Sequence, residues 1–439
     1  MSSSKSVDRE APVQGAIVIH PDRDGRASSR AADARLEEAV GLALALDLEI
    51  RETQVVRLRT LTPATLFGKG KVEEIGHMIE LAEIDVAVID DALTPVQQRN
   101  LEKAWDCKVI DRTGLILEIF ARRARTREGR LQVELARLSY ERSRLVRTWT
   151  HLERQRGGFG VMGGPGETQI ETDRRLIADK IRKLKAELEE VRRTRTLQRS
   201  ARKRHPYPTV ALVGYTNAGK STLFNRLTRS EVVAEDMLFA TLDPTLRMLK
   251  LPDGRPAIMS DTVGFISDLP HELVEAFRAT LEEVKEADVV LHVRDIASAE
   301  SAAQAGDVRE VLGKLGVDME ERSILEVWNK IDLLPADDRE IVAGDARRAH
   351  PPAIPLSAVT GEGCDALLDA VAALVDEAPP VDVFTPMGEG AAIAWLYRHG
   401  RVLERHDGKD GSVRLAVSLS PQARGQFEQQ FPGAEVRGH

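Results

Sequence analysis

Residues 209–227 have the sequence TVALVGYTNAGKSTLFNRL, which is the clearest indication of fold in the chain. TVALVG is an apolar, β-branched run that predicts a buried strand, and TLFNRL predicts a helix. Between them, the glycines, lysine and serine have the spacing G-x-x-x-x-G-K-[ST] of a phosphate-binding loop. Backbone N–H groups of such a loop surround phosphates, and the following helix points its positive end at them. The predicted phosphate contacts are Gly214, Tyr215, Thr216, Asn217, Ala218, Gly219, Lys220, Ser221 and Thr222.

A second phosphate element, DTVGF, begins at Asp261, at the end of the apolar run PAIMSDT. We expect the Lys220 ammonium to reach the β- and γ-phosphate oxygens and the Ser221 hydroxyl to ligate Mg²⁺. The Asp261 carboxylate can hold the hydration shell of that ion, and the Gly264 amide can bind the γ-phosphate. The predicted contacts in this element are Asp261, Thr262, Val263 and Gly264.

The sequence NKID, residues 329–332, indicates which base is bound. The Asp332 carboxylate can accept hydrogen bonds from guanine N1–H and N2–H₂, a pair that adenine does not offer. Asn329 can bond the O6/N7 side of the base, and the stem of Lys330 can cover the ring. The predicted nucleotide contacts at this end are Asn329, Lys330, Ile331, Asp332, Ser357, Ala358 and Val359, and Ser357-Ala358 fits a backbone contact to O6. These motifs predict GTP and GDP, rather than ATP, as ligands of this domain.

Alternating strand and helix patterns give the chain an α/β fold class. Residues 15–114 alternate short apolar runs with helical ones, from GAIVIH to CKVID, which implies a small parallel sheet covered by helices. Residues 205–379 carry the nucleotide motifs and predict a P-loop GTPase domain with a mainly parallel sheet. Residues 380–439 predict a small C-terminal α+β domain, and we expect residues 1–14, which are polar, to be disordered.

Residues 115–204 have a different pattern, with two series of apolar residues at steps of four and three. These series are Leu131, Leu135, Leu138, Leu145, Trp149 and Leu152, then Ile177, Ile181, Leu184, Leu188 and Val191. They predict two helices that pack along a seam. Between them, residues 157–166 include six glycines. We therefore expect a long antiparallel helical hairpin with a glycine-rich tip, whose second helix of about 30 residues would extend roughly 45 Å.

The charge of the chain is unevenly distributed. Overall, 62 basic and 70 acidic side chains give −8, which taken alone argues against a polyanionic partner. Residues 121–204, however, hold 24 Lys and Arg against 11 Asp and Glu, a local charge of +13, whereas the remainder holds 38 basic and 59 acidic groups. A basic block in an acidic protein favours a module that faces a polyanion. A solvated helix surface is the alternative interpretation.

Taken together, these segments resemble the P-loop GTPases of the translation-factor class, and within them the HflX family. The segments that carry the resemblance are ATLFGKGKVEEI, LTPVQQRNLE, DRTGLILEIFARRARTREGRLQVELARL, RGGFGVMGGPGETQIETDRR, FATLDPTLR and DTVGF. The resemblance covers most of the chain and includes the order of its parts. It implies a GTPase that binds the large ribosomal subunit, a dense RNA polyanion, and splits or rescues stalled ribosomes. The hairpin tip is implied to enter that subunit near its catalytic centre.

The resemblance also implies that FATLD is a switch segment. Thr241 would be ordered onto Mg²⁺ and the γ-phosphate in the GTP state. The implied nucleotide contacts are Phe239, Ala240, Thr241, Leu242 and Asp243, and the metal-binding residues are Ser221, Thr241 and Asp261.

One group expected for hydrolysis is missing. Phe265 stands where many GTPases have a glutamine that orients the attacking water. A backbone group, a cation or the partner must then orient it, and we expect slow intrinsic turnover that the large subunit raises. Asn217 resembles the asparagine with which potassium-activated GTPases hold K⁺; the other interpretation is that it only stabilises the loop. The catalytic candidates are Lys220, Thr241, Gly264 and Asn217.

Cysteine usage and hydropathy indicate the compartment. Cys107 and Cys364 are the only cysteines, which excludes a disulfide framework and favours a reducing interior. The N-terminus lacks the apolar stretch of a signal peptide, and no apolar run approaches the ~20 residues that span a bilayer. We expect a cytoplasmic protein without stable membrane insertion, and a monomer, because the heptads can pair within the chain.

Two other functions stay open on the sequence alone. The absent glutamine also fits a GTP-regulated binding or regulatory module in which hydrolysis is incidental. An ATP-dependent action of the N-terminal part on RNA is the other alternative, with FGKGK, residues 67–71, as its candidate segment. This segment lacks P-loop spacing, and we expect it to form a surface turn.

Overall fold

The computed structural model describes residues 13–23, 31–155, 165–202, 207–230, 238–239, 241–242, 245–267, 273, 284–314, 316–317, 323–375, 381–386, 389–408, 412–419 and 421–438. The chain divides into two compact units. The first comprises Met1–Leu188, Met237–Phe239 and Asp268–Ala276, and the second comprises Glu189–Asp236, Ala240–Ser267 and Phe277–His439. The predicted disorder of residues 1–12, the glycine-rich tip up to residue 164, and the predicted contacts of Ala240 and Asp243 lie outside the described residues.

The first unit opens with the α/β sheet that the alternating pattern predicted. Its elements are β1 (Gly15–Arg23), α1 (Ala32–Leu44), β2 (Glu49–Leu58), α2 (Lys69–Leu81), β3 (Val86–Ile89), α3 (Pro95–Trp105), β4 (Lys108–Asp111) and α4 (Arg112–Arg123). The strands pair in parallel in the order β2-β1-β3-β4. β1 and β3 are apolar and almost wholly buried, as expected for a parallel sheet that helices cover on both faces. The prediction of a small parallel sheet is confirmed.

Side-chain caps explain where two helices of this unit begin. The Thr94 hydroxyl accepts the Gln97 N–H at 3.2 Å, and the Gln97 side chain accepts the Thr94 N–H at 2.9 Å. This capping box, with Pro95 in the first turn, starts α3. Asp111 starts α4 in a similar way by accepting the Gly114 N–H at 2.8 Å.

The predicted hairpin consists of α5 (Arg127–Gln155) and α6 (Pro165–Arg202). Its seam contains Leu131, Leu135, Leu138, Ile177, Ile181 and Leu184. Arg127, at the start of α5, lies 3.7 Å from Glu187, which fits the antiparallel arrangement. α6 has 38 residues, more than the roughly 30 expected. The side chains of Leu145, Trp149 and Leu152 lie outside the described part, and the predicted boundary at residue 115 falls within α4.

A buried carboxylate fixes the base of the hairpin to the sheet. The Tyr140 hydroxyl on α5 lies 2.8 Å from both carboxylate oxygens of Asp111, and Arg144 donates to the same group at 3.2 Å. Burial and the charge of Asp111 raise the pKa of Tyr140, so the phenol stays a neutral donor. The carboxyl end of β4 therefore anchors α5 through charge-assisted bonds.

The second unit contains the predicted mainly parallel sheet. Its elements are β5 (Thr209–Gly214), α7 (Lys220–Thr228), β6 (Thr245–Lys250), β7 (Pro256–Asp261), β8 (Val289–Asp295), α8 (Ser301–Lys314), β9 (Ser323–Asn329), a 3₁₀ turn (Ile331–Leu333), α9 (Ala336–Ala346), β10 (Ala353–Pro355) and α10 (Cys364–Val375). The strand order is β10-β9-β8-β5-β7-β6. All neighbours pair in parallel except β6 and β7. β6 is an edge strand that the sequence pattern did not predict.

The C-terminal part of this unit is the predicted small α+β domain. Its elements are β11 (Val381–Thr385), α11 (Gly390–His399), β12 (Arg401–Asp407), β13 (Val413–Ser418), α12 (Pro421–Gln430) and β14 (Glu435–Gly438). The strands form an antiparallel sheet in the order β12-β13-β11-β14. Val383, Leu415 and Phe427 belong to its buried core. This is the split βαβ arrangement.

Membrane-spanning helices are absent from the described ranges, because no helix there is both long and apolar enough to cross a bilayer. The long helices α5 and α6 are rich in charged residues instead.

Candidate nucleotide-binding site

The loop between β5 and α7 has a backbone that only glycine accommodates at two positions. Gly214 has φ +154° and Gly219 has φ +90°. A Cβ on Gly214 would lie 2.2 Å from the Val293 carbonyl oxygen, and one on Gly219 would lie 2.2 Å from Asn329 Nδ2. Gly219 is also the N-cap of α7. The two glycines therefore have the backbone conformation that the P-loop motif requires, and the N-terminus of α7 lies at the end of the loop, where an anion would be favoured.

Lys220 is held close to this loop. Its side chain is buried, and Nζ donates to the carbonyl oxygens of Gly214 at 3.1 Å and Tyr215 at 2.7 Å. Burial lowers the pKa of Lys220 to about 8, and the charge of Asp261 partly offsets this effect. A phosphate group would favour the charged ammonium further, because an opposite charge at close range raises the pKa of a lysine.

Three oxygen-bearing side chains meet at the predicted metal position. The Ser221 hydroxyl lies 2.8 Å from Asp261 Oδ2 and 2.8 Å from the Thr241 hydroxyl. Asp261 is fully buried, its Oδ1 atom has no hydrogen-bond partner, and burial raises the pKa of its carboxyl group. A hard cation with oxygen ligands would satisfy this atom and favour the charged form of the carboxylate. The residues present thus fit Mg²⁺, although within the described ranges no cluster of three or more His, Cys, Asp or Glu could hold a metal ion.

The DTVGF segment is fastened to the P-loop. Thr216 N–H donates to the Phe265 carbonyl at 2.7 Å, and Phe265 N–H donates to the Gly214 carbonyl at 3.1 Å. A Cβ on Gly264 would lie 2.9 Å from Thr216 Cα and 3.1 Å from Lys220 Nζ. Gly264 therefore lies beside Lys220, the residue that we expect to bind the phosphates. The Phe265 ring is buried, and the Thr216 hydroxyl is buried without a hydrogen-bond partner.

Two motif residues define the guanine end of the site. Asn329 is buried; its Nδ2 donates to the Ala218 carbonyl at 2.8 Å, and its Oδ1 accepts the Ala358 N–H at 2.9 Å. Asn329 thus joins the P-loop to the loop after β10 and keeps one amide hydrogen for a base. Asp332 Oδ1 is buried without a hydrogen-bond partner. A bound guanine would supply the N–H donors that this oxygen lacks.

The loop after β10 is held by α7. Arg226 donates to the carbonyl oxygens of Ala358 and Val359, and the Ser357 hydroxyl accepts the Thr360 N–H at 3.1 Å. The sequence did not single out Arg226, because this contact joins residues far apart in the chain. Since Ala358 N–H already donates to Asn329, the predicted O6 contact has to share that donor or use the next amide.

Lys330 has a partner that the sequence analysis also missed. Its Nζ lies 2.8 Å from Asp295 Oδ2, and its backbone is left-handed, with φ +69°. Asp295 is the last residue of β8 and lies opposite Asn329 in the parallel register. Only its place at the carboxyl end of a strand could have drawn attention to it.

The switch segment is described in part. Thr241 contacts the Ser221 hydroxyl, as noted above, and Leu242 is buried. The Phe239 ring packs at 84° against Phe120 of α4, with centroids 4.6 Å apart, within the first unit. Its side chain therefore contributes to packing there, and its φ of +58° is unusual for a bulky residue. Asn217 is exposed, also with φ +58°.

The FGKGK segment is not a surface turn, so that interpretation was wrong. Phe67 is fully buried, Gly68 is the N-cap of α2, and Lys69 begins the helix. Lys71 is paired with Glu74 at 2.7 Å. A glycine before a helix and a buried aromatic side chain explain the segment as a helix start.

Comparison with known proteins finds relatives for most of the chain. Four family profiles match: GTP-binding GTPase N-terminal at residues 33–121, GTP-binding GTPase Middle Region at 123–202, 50S ribosome-binding GTPase at 209–330, and HflX C-terminal domain at 345–436. Curated relatives include GTPase HflX of Magnetococcus marinus, 53% identical over 408 residues and 92% of both chains. GTPase HflX of Escherichia coli is 46% identical over 358 residues, 81% of this chain and 83% of that protein.

Solved structures are also similar. A GTP-binding protein from the archaeon Sulfolobus solfataricus, in complex with GDP, is 24% identical and has a TM-score of 0.44. The match covers 83% of this chain and 99% of that chain.

Proposed function

This chain belongs to the HflX family of GTPases and hydrolyses GTP, and from that premise we propose that it binds the large ribosomal subunit and splits or rescues stalled ribosomes under GTP control. The match of residues 209–330 to a 50S ribosome-binding GTPase family is the observation that carries this proposal. We also propose that it acts as a monomer in the cytoplasm, where ribosomes are found.

The chain supplies the groups that GTP needs. Lys220 would neutralise the β- and γ-phosphates, and the Gly264 N–H would bind the γ-phosphate. Ser221, Thr241 and Asp261 would hold Mg²⁺, which adds positive charge where negative charge develops in phosphoryl transfer. Because Thr241 would exchange its present bond to Ser221 for a place beside the metal, its segment can report whether the γ-phosphate is present.

Hydrolysis needs a group that the chain does not provide at the usual place. The Phe265 side chain can neither donate nor accept a hydrogen bond, and it is buried. We propose that the large subunit fixes the switch segments and thereby raises a slow intrinsic rate. A K⁺ ion beside the exposed Asn217 is a second means of supplying positive charge. Exchange of Na⁺ for K⁺ in a hydrolysis assay tests it, and an equal rate in both salts would leave Asn217 a loop-stabilising role only.

The hairpin supplies the surface for ribosomal RNA. Residues 121–204, which include α5 and α6, carry a charge of +13, and the Asp111 network fixes α5 to the sheet. Exposed cations next to a polyanion release condensed counterions, and the resulting affinity depends steeply on salt. Lys183 and Lys185 of α6 are both exposed and suited to such contacts.

Charge reversal on α6 tests this part of the proposal. The variant Lys183→Glu/Lys185→Glu should cosediment with purified large subunits at least tenfold more weakly and with a shallower salt dependence, while GTP binding stays intact. The matched control is Arg347→Glu/Arg348→Glu, which reverses two exposed charges after α9. If both double variants lose affinity equally, total charge rather than the hairpin would be responsible.

The buried Phe265 also favours a second candidate function, a GTP-regulated binding module whose hydrolysis is incidental. The two functions differ in single-turnover GTP hydrolysis with and without large subunits. The ribosome-splitting proposal requires a faster rate with subunits, whereas equal rates would support the regulatory module.

A further inference from the structure

The ion pair between Lys330 and Asp295 connects guanine recognition to a residue outside the sequence motifs. We infer that Asp295 is a positioning residue for guanine: it holds the Lys330 ammonium at the edge of the base site. The lysine stem is thereby placed where a purine can lie against it, and the ammonium is kept away from Asp332. This inference rests on guanine-nucleotide binding and not on the ribosome.

Asp295 is itself fixed by the sheet. Its Oδ1 accepts the Ala297 N–H at 3.1 Å, and the next residue, Ile296, donates its N–H to the Asn329 carbonyl at 3.0 Å. Oδ2 is left for Lys330, at 2.8 Å. Both side chains of the pair are largely buried, with about a fifth exposed (22% for Lys330 and 19% for Asp295). The carboxylate is therefore a rigid acceptor, not a mobile surface charge.

Lys330 is consequently held at both ends. Its backbone has the left-handed conformation, with φ +69°, which is unfavourable for a residue with a Cβ. Its ammonium is bound by Asp295. The methylene groups between these two points form a preorganised apolar strip, and preorganisation reduces the entropy lost when a ligand binds.

The pair also protects the acceptor that selects guanine. Asp332 follows Lys330 by two residues, and its Oδ1 is buried without a partner. We expect that without Asp295 the lysine ammonium would pair with this carboxylate instead. A Lys330–Asp332 pair would occupy the oxygen that guanine N1–H and N2–H₂ need, so the competition would lower guanine affinity and selectivity together.

The test uses Asp295→Asn in the full chain. Asparagine keeps an Oδ1 acceptor for Ala297 N–H and replaces the charged Oδ2 acceptor of Lys330 by an uncharged NH₂ donor. We expect the dissociation constants for GTP and for GDP to rise about tenfold and in the same proportion, because the change acts on the base and not on the phosphates. The preference for GTP over inosine triphosphate, which lacks the N2 amino group, should fall. The single-turnover rate at saturating GTP should stay within twofold of the parent.

A double-mutant cycle with Lys330→Met separates positioning from general structure. Methionine keeps an apolar stem but has no ammonium. If Asp295 acts through Lys330, Asp295→Asn should cause no further loss of affinity in the Lys330→Met background. An equal loss in both backgrounds, or unchanged affinity in the single variant, would overturn the inference. Asp345→Asn, which breaks an exposed ion pair with Arg348 in the same unit, is the matched control and should leave nucleotide affinity unchanged.

Ribosome cosedimentation distinguishes this inference from the proposed function. At nucleotide concentrations that saturate the Asp295→Asn variant, subunit binding should equal that of the parent. If the parent does not bind ribosomal subunits, the proposed function is contradicted, but the inference about Asp295 is not affected.

Discussion

Replacing Gly264 by alanine should slow GTP hydrolysis while leaving GDP binding nearly intact. The Cβ that this change adds would lie 2.9 Å from both Cα and Cγ2 of Thr216, and 3.1 Å from Lys220 Nζ. The lysine end can move, but the Cα of Thr216 belongs to the P-loop backbone. The DTVGF segment therefore has to move away from the P-loop.

The size of the effect follows from what that movement disturbs. Overpacking of this kind costs about 1–3 kcal/mol. The two backbone hydrogen bonds between the segments, at 2.7 and 3.1 Å, each contribute about 0.5–1.5 kcal/mol and would weaken. We expect most of this cost to destabilise the state in which Gly264 N–H contacts the γ-phosphate. Hydrolysis should then slow about 10- to 100-fold, since 1.36 kcal/mol corresponds to a factor of ten in rate. GDP has no γ-phosphate, so its affinity should change less than about threefold.

Single-turnover hydrolysis of GTP and equilibrium binding of fluorescent GDP measure the two quantities. The control is Gly313→Ala on α8, where nothing lies within 4 Å of the added Cβ. Alanine there should stabilise the helix by about 0.5–1 kcal/mol and leave both quantities unchanged. Normal hydrolysis by the Gly264→Ala variant would refute the argument that close contact between the two segments is needed for catalysis.

Three further predictions concern stability and the metal. Burial raises the pKa of Glu326, but the neighbouring His292, Trp328 and Arg294 lower it by more. The net effect is a pKa lowered from 4.5 to about 2. The charge of Glu326 thus stabilises the fold above pH 4.5. Glu326→Gln should lower the free energy of unfolding in urea by about 2–3 kcal/mol at pH 7, and this loss should shrink below pH 4.5. A loss of stability that does not depend on pH would contradict the prediction. Tyr140→Phe should destabilise the first unit by about 1–3 kcal/mol, because the buried Asp111 carboxylate loses one hydrogen-bond donor. Hydrogen exchange measures this effect, and exchange rates in α4 and α5 equal to those of the parent would contradict the prediction. Chelation of Mg²⁺ with EDTA should abolish hydrolysis and weaken GTP binding, and turnover that persists in EDTA would exclude the proposed metal role.

Local sequence signals predicted much of the fold because they act over a few residues. The buried strands β1, β3 and β5 are apolar runs, α3 follows a capping box, and the P-loop glycines have no alternative that fits. β6 was missed because TLRMLK is an edge strand whose exposed residues blur the alternation. Its place in the sheet comes from antiparallel pairing with β7, which depends on residues elsewhere in the chain.

In the candidate site, too, contacts between residues that are distant in the chain could not be predicted from local motifs. The motifs predicted Lys220, Ser221 and Asp261 as site residues, because each motif carries its own geometry. They did not reveal Asp295, whose contact with Lys330 crosses from β8 to the turn after β9. The FATLD motif also did not indicate that the Phe239 ring packs against Phe120. A motif identifies a segment but does not fix the direction of each side chain.

Sucrose-gradient analysis of assembled ribosomes, incubated with the protein and either a non-hydrolysable GTP analogue or GDP, tests the central claim most directly. We predict that ribosomes separate into subunits with the GTP analogue, and that the protein then cosediments with the large subunit. With GDP the ribosomes should remain assembled. Equal separation with both nucleotides, or none with either, would contradict the proposal that GTP binding drives the protein's action on the ribosome.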